Sequence, residues 1–187
     1  MKVSKRGEFN YINTRKKRII LMAILIVAIA VGIFVIGLLL NKMDKANIFT
    51  VVAVCAVLPW AKQIVALVVL FPYHSVSRER YDKVKEATPE NVTLYTDLVI
   101  TSTEKIMNLD FAVVGYGRVI ALLGKEGQDM KYIREYLAKG VSNCSDYKVK
   151  LVNSEKAFMT EIANLSKKDV SPEEEERVNA YLRSLIV

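Results

Sequence analysis

The sequence predicts an α+β domain that follows a two-helix transmembrane hairpin. Two apolar runs without an acidic residue, 19–40 and 48–71, predict the hairpin. Three consecutive runs rich in Val, Ile, Leu and Thr, separated by turn residues, predict a β-meander in the following region. Apolar residues at helical spacing around these runs predict the helices that complete the domain.

The first apolar run is long enough to cross a bilayer. Its 22 uncharged residues would span roughly 33 Å as a helix, against a hydrocarbon core of about 30 Å. This length exceeds that of a signal-peptide core, and no small-residue cleavage site follows, so we expect the helix to be retained. The second run, 48–71, follows the turn 41–47, and we expect it to form a second helix that crosses the bilayer in the opposite direction.

Basic residues flank the hairpin on one side. Residues 1–18 contain seven Lys or Arg and one Glu, and four more basic residues lie between 78 and 85, whereas the turn carries Lys42 and Lys45. The positive-inside rule therefore places both termini in the cytoplasm. We expect a multi-pass protein of the inner or plasma membrane, with the lipid bilayer as a partner, in a bacterial setting.

The net charge of +7 belongs to these membrane flanks. Residues 73–187 contain 17 basic and 18 acidic residues, so the domain lacks the basic excess that phosphate neutralisation requires, and nucleic acid is not an expected partner. With His74 the single histidine, and with Cys55 and Cys144 far apart, the sequence gives no support for multi-histidine metal, Ser/His or disulfide chemistry. We expect both thiols to be buried and inert.

Polar residues interrupt the second apolar run. Pro59 frees a backbone carbonyl, and Lys62 beside Gln63 is costly in hydrocarbon. Lys62 either faces a partner, a lipid headgroup or a pathway, or it snorkels around a kinked and tilted helix. We favour snorkelling, because neither run contains an acidic residue, and any pore would require a homo-oligomer.

The domain reads as a short charged helix, the meander, a helix, a strand and two helices. Asp97 is expected on the exposed face of its strand, Tyr132 and Tyr136 are expected to be partly buried, and Gly140 is expected to end its helix. Predicted bounds are helix 77–87, strands 93–102, 108–114 and 118–123, helix 128–140, strand 147–152, a helix capped by Ser154 and a helix from Ser171 to about Leu185. The predicted organisation is a basic segment 1–18, the hairpin 19–72, an α/β domain 77–167 and an amphipathic C-terminal helix 171–187.

This αβββαβα order resembles the core of the PD-(D/E)xK, or restriction-endonuclease-like, superfamily. The segment from Asp110 to Lys125 resembles the central hairpin of its nuclease-related-domain branch, in which an aspartate opens the second strand and a glycine turn follows. There the third strand carries an acid two residues before a lysine. Gln128 and Tyr132 match a Gln-x-x-x-Tyr signature that some of these nucleases place on the next helix, and the resemblance covers about residues 77–165.

The resemblance implies a site in which two carboxylates hold Mg²⁺ or Mn²⁺ and a lysine positions the attacking water. Asp110 and Lys125 fit two of these roles, but Leu123 occupies the position of the second acid. Asp110, Lys125, Gln128 and Tyr132 are therefore vestigial candidates, with Asp110 a weak metal ligand. Glu126, Glu104, Glu79 and Glu86 are the acids that could take the missing role.

We expect a membrane-anchored cytoplasmic binding or scaffold protein with a catalytically degenerate domain that recognises a protein or small ligand. No enzymatic activity and no cofactor are expected. One alternative is an active nuclease or phosphodiesterase that uses Mg²⁺ or Mn²⁺. A second alternative is a subunit of an oligomeric channel or transporter lined by Lys62.

Overall fold

The computed structural model describes residues 5–40, 48–165 and 170–187. The predicted turn 41–47 and the predicted domain end at 167 lie outside these residues. The chain is mixed α+β, and it divides into one unit of Met1–Ile12 with Tyr73–Val187 and a second unit of Asn13–Pro72. In chain order the elements are α1 (Tyr11–Leu40), α2 (Ile48–Cys55), α3 (Val57–Leu70), α4 (Arg78–Ala87), β1 (Thr93–Thr101), β2 (Ile106–Gly115), β3 (Arg118–Leu123), α5 (Met130–Ser142), β4 (Lys148–Val152), α6 (Glu155–Ala163) and α7 (Pro172–Leu185).

Two helical stretches are long and apolar enough to cross a membrane, Tyr11–Leu40 and Ile48–Leu70. The second is interrupted at Ala56, between α2 and α3. Pro59 explains the interruption, because it lacks the N–H that would bond to the carbonyl four residues earlier. At the end of α3, the Lys16 ammonium donates a hydrogen bond of 3.0 Å to the Phe71 carbonyl, one of the acceptors that a helix end leaves unpaired.

The unit that contains residues 73–187 is built around a four-stranded sheet of order β1-β2-β3-β4. The pairs β1/β2 and β2/β3 are antiparallel, which confirms the predicted meander, and β4 pairs with β3 in parallel. A parallel neighbour requires a crossover, and α5 supplies it.

Helices cover both faces of this sheet. On one face, apolar residues of α5 and α7 pack against Leu98, Leu109 and Ala121. On the other face, Val84 of α4 and Phe158 and Ile162 of α6 pack against the opposite sides of the strands. The result is a three-layer arrangement with an apolar cluster on each side of the sheet.

The alternation of β1 slips by one residue at Asp97. Tyr95 and Leu98 pack in the same cluster although they are three residues apart, and Asp97 has a left-handed φ of 57°. Asp97 is only 1% exposed, so the prediction that it faces water was wrong. Strict alternation would place Asp97 on the same face as Tyr95, and Leu98 takes that face instead. The prediction failed because helices cover both faces of the sheet, so that β1 has no exposed face at this position.

The buried Asp97 carboxylate holds the two chain segments that flank the hairpin. Its Oδ1 accepts a hydrogen bond of 2.9 Å from the Val76 amide, whereas Oδ2 has no hydrogen-bond partner among the described residues. Burial raises the pKa of Asp97, and the Ser75 hydroxyl and the amides of Val76, Ile12 and Tyr11 oppose this by favouring the charged form.

Segments distant in sequence close the outer edge of β1. The Thr96 amide donates to the Gly7 carbonyl at 2.8 Å, and the Val187 amide donates to the Val99 carbonyl at 3.1 Å. The Tyr11 hydroxyl donates to the Val187 carbonyl at 2.9 Å. Residues 5–12 are therefore part of the sheet-containing unit, and they cover an edge that would otherwise offer unpaired hydrogen-bonding groups.

Local capping chemistry was predicted well. Ser154 and Ser171 cap the N-termini of α6 and α7 through their side-chain oxygens, as predicted. Ser77 caps α4 in the same way, which was not predicted. Gly140, in contrast, does not end α5, which continues to Ser142. A Cβ at Gly140 would collide with the ring of Tyr181, so this glycine permits the close approach of α7.

Candidate functional site

A cavity of about 480 Å³ lies at the sheet edge where β3 and β4 both end. Parallel neighbours end at the same edge, so the loop after β3 and the start of α6 meet there. Polar and charged side chains dominate the wall. Its lining includes Arg80, Asp110, Lys125, Glu126, Gln128, Asn153 and Glu155, with Leu122, Leu123 and Met130 as the apolar part.

Arg80 of α4 joins two carboxylates in this cavity. Its Nη1 donates to Asp110 Oδ2 at 2.7 Å, and its Nε donates to Glu155 Oε2 at 2.8 Å. The side chains of Arg80, Asp110 and Glu155 are 37%, 13% and 32% exposed. The guanidinium also lies 5.6 Å from the centre of the Phe111 ring, which adds a cation–π contact.

The electrostatics of Arg80 reflect this arrangement. Partial burial works to lower the pKa of Arg80, and the hydrogen bonds and charges of Glu155 and Asp110 outweigh burial, so the pKa is raised above its ordinary value. The guanidinium therefore stays charged at every physiological pH. A fixed positive charge lies between the two carboxylates.

The local backbone explains why Asp110 reaches the cavity. The β2–β3 register shifts between Leu109 and Phe111, and such a bulge re-aims the side chain that is left out of the ladder. Gly124 faces this position, where a Cβ would collide with Asp110 Oδ1 and Asn108 Oδ1. Glycine at 124 is thus required for the close approach of the β3–α5 loop to Asp110.

Gln128 acts as a brace for this loop. Its Oε1 accepts from the Asn108 amide at 2.7 Å, and its Nε2 donates to the carbonyls of Asn108 at 2.8 Å and Lys125 at 3.1 Å. The side chain is saturated by backbone groups. In this structure Gln128 fixes the loop beside Asp110, although it also lines the cavity.

Tyr132 lies outside the lining of this cavity. Its hydroxyl shares a hydrogen bond of 2.9 Å with the Ser102 hydroxyl, and its ring stacks on Tyr136 at 6.3 Å. Both tyrosines are half-buried against the α5 side of the core, as predicted. These contacts are those of a packing residue.

Lys125 is exposed and lines two neighbouring cavities. The second cavity, of about 450 Å³, shares residues 125–128 with the first and adds Tyr73, Lys105 and Asp129. There Lys105 pairs with Asp129 at 2.8 Å. The β3–α5 loop therefore separates two polar cavities.

Sequence reasoning missed Arg80 and Glu155 as site residues. Among the four acids considered as replacements for the missing carboxylate, Glu126 lines the cavity, but Glu155 is the acid that joins Asp110 through Arg80. The available signal was the predicted strand–helix–strand order of β3, α5 and β4, because such a crossover makes neighbouring strands parallel. Parallel strands end at the same edge, which places the first residue of α6 beside the end of β3. Leu123 stands in the third strand and packs against the apolar core.

The described part of the chain contains no group of three His, Cys, Asp or Glu side chains that could hold a metal ion. Asp110 and Glu155 provide two carboxylates, and both bond to the Arg80 guanidinium, whose single positive charge offsets one of the two negative charges. The two cysteines are free thiols: Cys55 is exposed, against the expectation of burial, because it lies on the outer surface of α2, and Cys144 is half-buried.

The polar residues of the hairpin lie on α3. Lys62 is exposed on the helix surface and Gln63 is half-buried. Neither takes part in the cavities beside Asp110.

The fold and site together define a mixed α+β protein with two apolar helices and a polar, arginine-bridged cavity at one edge of its sheet. Comparisons with protein-family models, with curated proteins and with solved structures found no match.

Proposed function

We propose that this chain is a membrane-anchored binding protein whose endonuclease-like domain is catalytically degenerate. The observation that carries the proposal is the Arg80 guanidinium between Asp110 and Glu155. In the resembling nucleases a divalent cation supplies positive charge beside the carboxylates. Here a side chain supplies that charge, and Leu123 stands in place of the second acid of the motif.

The order of the helices and strands supports the proposed relation to the restriction-endonuclease-like fold. A helix, an antiparallel meander, a helix, a strand and a helix follow one another in the order that the resemblance implies. The proposed role of the cavity is recognition of a small ligand or an extended protein segment, with Lys125 and Asn153 as its exposed polar groups.

The proposed topology has both flanks of the hairpin on the cytoplasmic side. Residues 5–12 and 73–187 belong to one folded unit, which requires the chain to cross a membrane an even number of times between them. The basic residues before α1 and in α4 favour the cytoplasmic side by the positive-inside rule.

The test is a calorimetric titration of Mn²⁺ into the detergent-solubilised full chain. We expect no saturable binding to the wild type and no Mn²⁺-dependent cleavage of a phosphodiester substrate. The Arg80→Met variant is the informative comparison, because it releases both carboxylates while keeping an aliphatic side chain. Near-UV circular dichroism confirms that each variant is folded.

A metal-dependent phosphodiesterase is the second candidate, and one observation favours it. Glu155 provides a second carboxylate near Asp110, since both bond to the same Arg80 guanidinium. Saturable Mn²⁺ binding to the wild type that disappears in Asp110→Asn would support this candidate and contradict the proposed binding role. Lys125 would then be the residue to test for water activation.

A further inference from the structure

An apolar groove lies between α1 and α3, within the unit Asn13–Pro72. Its volume is about 350 Å³, and α1 contributes Ile20, Ala23, Ile24 and Val27. The opposite wall is formed by three residues of α3, Trp60, Ile64 and Leu67. Along α1 the groove extends about 10 Å, since a helix rises 1.5 Å per residue.

A cation lies at the end of this groove. Lys17 precedes Ile20 by three residues and Ile24 by seven, so all three share one face of α1. Lys17 is exposed and has no ion-pair or hydrogen-bond partner among the described residues. Arg18, also exposed, is the next residue.

Lys16 helps to hold the groove in shape. Its ammonium donates to the Phe71 carbonyl at 3.0 Å and lies 5.9 Å from the centre of the Phe71 ring. This contact ties the end of the α3 stretch to the basic turn of α1. The walls of the groove are thus apolar, and the turn of α1 that precedes it is positively charged.

We propose that this groove binds an anionic phospholipid, with an acyl chain between α1 and α3 and the headgroup phosphate at Lys17. The apolar walls match a hydrocarbon chain, and the free ammonium one helical turn away matches a lipid phosphate at the bilayer surface. Cationic side chains adjacent to a membrane helix attract anionic headgroups in this way. The inference rests on the proposed insertion of the hairpin in a bilayer.

The chain contains one tryptophan, Trp60, and it lies in the groove wall, so its fluorescence reports occupancy. The full chain is reconstituted in phosphatidylcholine vesicles that contain equal mole fractions of brominated phosphatidylcholine or brominated phosphatidylglycerol. We expect the anionic lipid to be preferred at Trp60 by roughly 5- to 30-fold, the factor that corresponds to one or two cation–phosphate contacts.

Two variants separate charge from shape. Lys17→Gln should reduce the preference to near one, and Ala23→Leu, which narrows the groove without changing charge, should reduce quenching by the anionic lipid. Lys139→Gln removes an equivalent charge from α5 and should change neither.

Equal quenching by the two lipids overturns the lipid site while leaving membrane insertion intact. Absence of quenching by both lipids and by aqueous iodide shows that protein, such as a second copy of the chain, covers Trp60, and this also overturns the lipid site. Quenching by iodide alone shows that the hairpin is outside the bilayer, so that the proposed anchoring itself fails.

Discussion

Replacement of Arg80 by methionine tests the central feature of the candidate site. Arg80 makes two charge-assisted hydrogen bonds, to Asp110 at 2.7 Å and to Glu155 at 2.8 Å. Methionine keeps most of the aliphatic packing of the stem and removes only the guanidinium. Its loss leaves two carboxylates close together with no shared cation, one of them, Asp110, only 13% exposed.

The magnitude follows from the burial of the three groups. A hydrogen bond to a charged group contributes about 1.5–3 kcal/mol when buried. Since about a third of Arg80 and of Glu155 is exposed, solvent screening reduces this contribution. We expect the free energy of unfolding to fall by about 2 kcal/mol.

The assay is urea unfolding of the full chain in a mild detergent, followed by near-UV circular dichroism of the tyrosines. With a slope of about 2 kcal/mol/M, the midpoint should fall by about 1 M urea. The matched control is Arg78→Met on the same helix. Arg78 pairs with Asp82 at 2.9 Å, but its side chain is 70% exposed, so the expected loss is below about 0.5 kcal/mol. If the two variants lose equal stability, the bridge does not hold the site together and the reasoning is refuted.

Three further predictions concern single residues. Gln128→Leu should lower the free energy of unfolding by about 2 kcal/mol, because it leaves the Asn108 amide without its partner, whereas Glu126→Leu on the exposed part of the loop should have little effect in the same urea experiment. The pKa of Asp97 is higher in the folded state than its ordinary value of 3.8. The protonated carboxyl therefore stabilises the fold below pH 3.8, and this contribution is lost as pH rises through the folded-state pKa. Relative to Asp97→Asn, the free energy of unfolding of the wild type should rise as the pH is lowered from 7 to 4. Lys62→Met should leave the molar mass of the detergent-solubilised protein unchanged in light scattering, because in the favoured interpretation Lys62 snorkels and has no protein partner to lose.

Each of these has a clear contrary result. A Gln128 variant as stable as the Glu126 variant means that the loop does not depend on its brace. If the wild type loses stability relative to Asp97→Asn on acidification, the pKa of Asp97 is lowered by folding and not raised. A change of assembly state in the Lys62 variant supports the oligomeric channel or transporter instead.

Local signals predicted the elements of this fold. The glycine-containing turn 115–117 defines the start of β3, and its observed bounds, Arg118–Leu123, coincide with the predicted ones. Ser171 followed by Pro172 predicted the start of α7 for a reason contained within one helical turn. Features of this kind depend on neighbours in sequence, so a single chain suffices to find them.

The candidate site depends on distant residues, and only half of it was predicted. Asp110 and Lys125 were found through a motif, whereas Arg80 and Glu155 lie 30 and 45 residues from Asp110 and meet it only in the fold. The inward position of Asp97 was likewise hidden, because the slip in β1 is stabilised by the Val76 amide and by the first turn of α1. Long-range contacts of this type leave no periodic trace in the sequence.

The closure of the β1 edge by residues 5–12 has a consequence for synthesis. Gly7 docks on Thr96, yet the two apolar stretches are made between them. At roughly 5–20 residues per second, β1 emerges several seconds after its covering segment. Under the proposed anchoring, this segment stays on one side of the membrane until β1 exists, so the hairpin would insert before the sheet-containing unit is complete. A fragment that starts after the hairpin would keep the contact of Val187 with Val99 but lose that of Gly7 with Thr96. Part of the β1 edge would then be uncovered, and full-length protein is therefore the appropriate sample for binding and stability measurements.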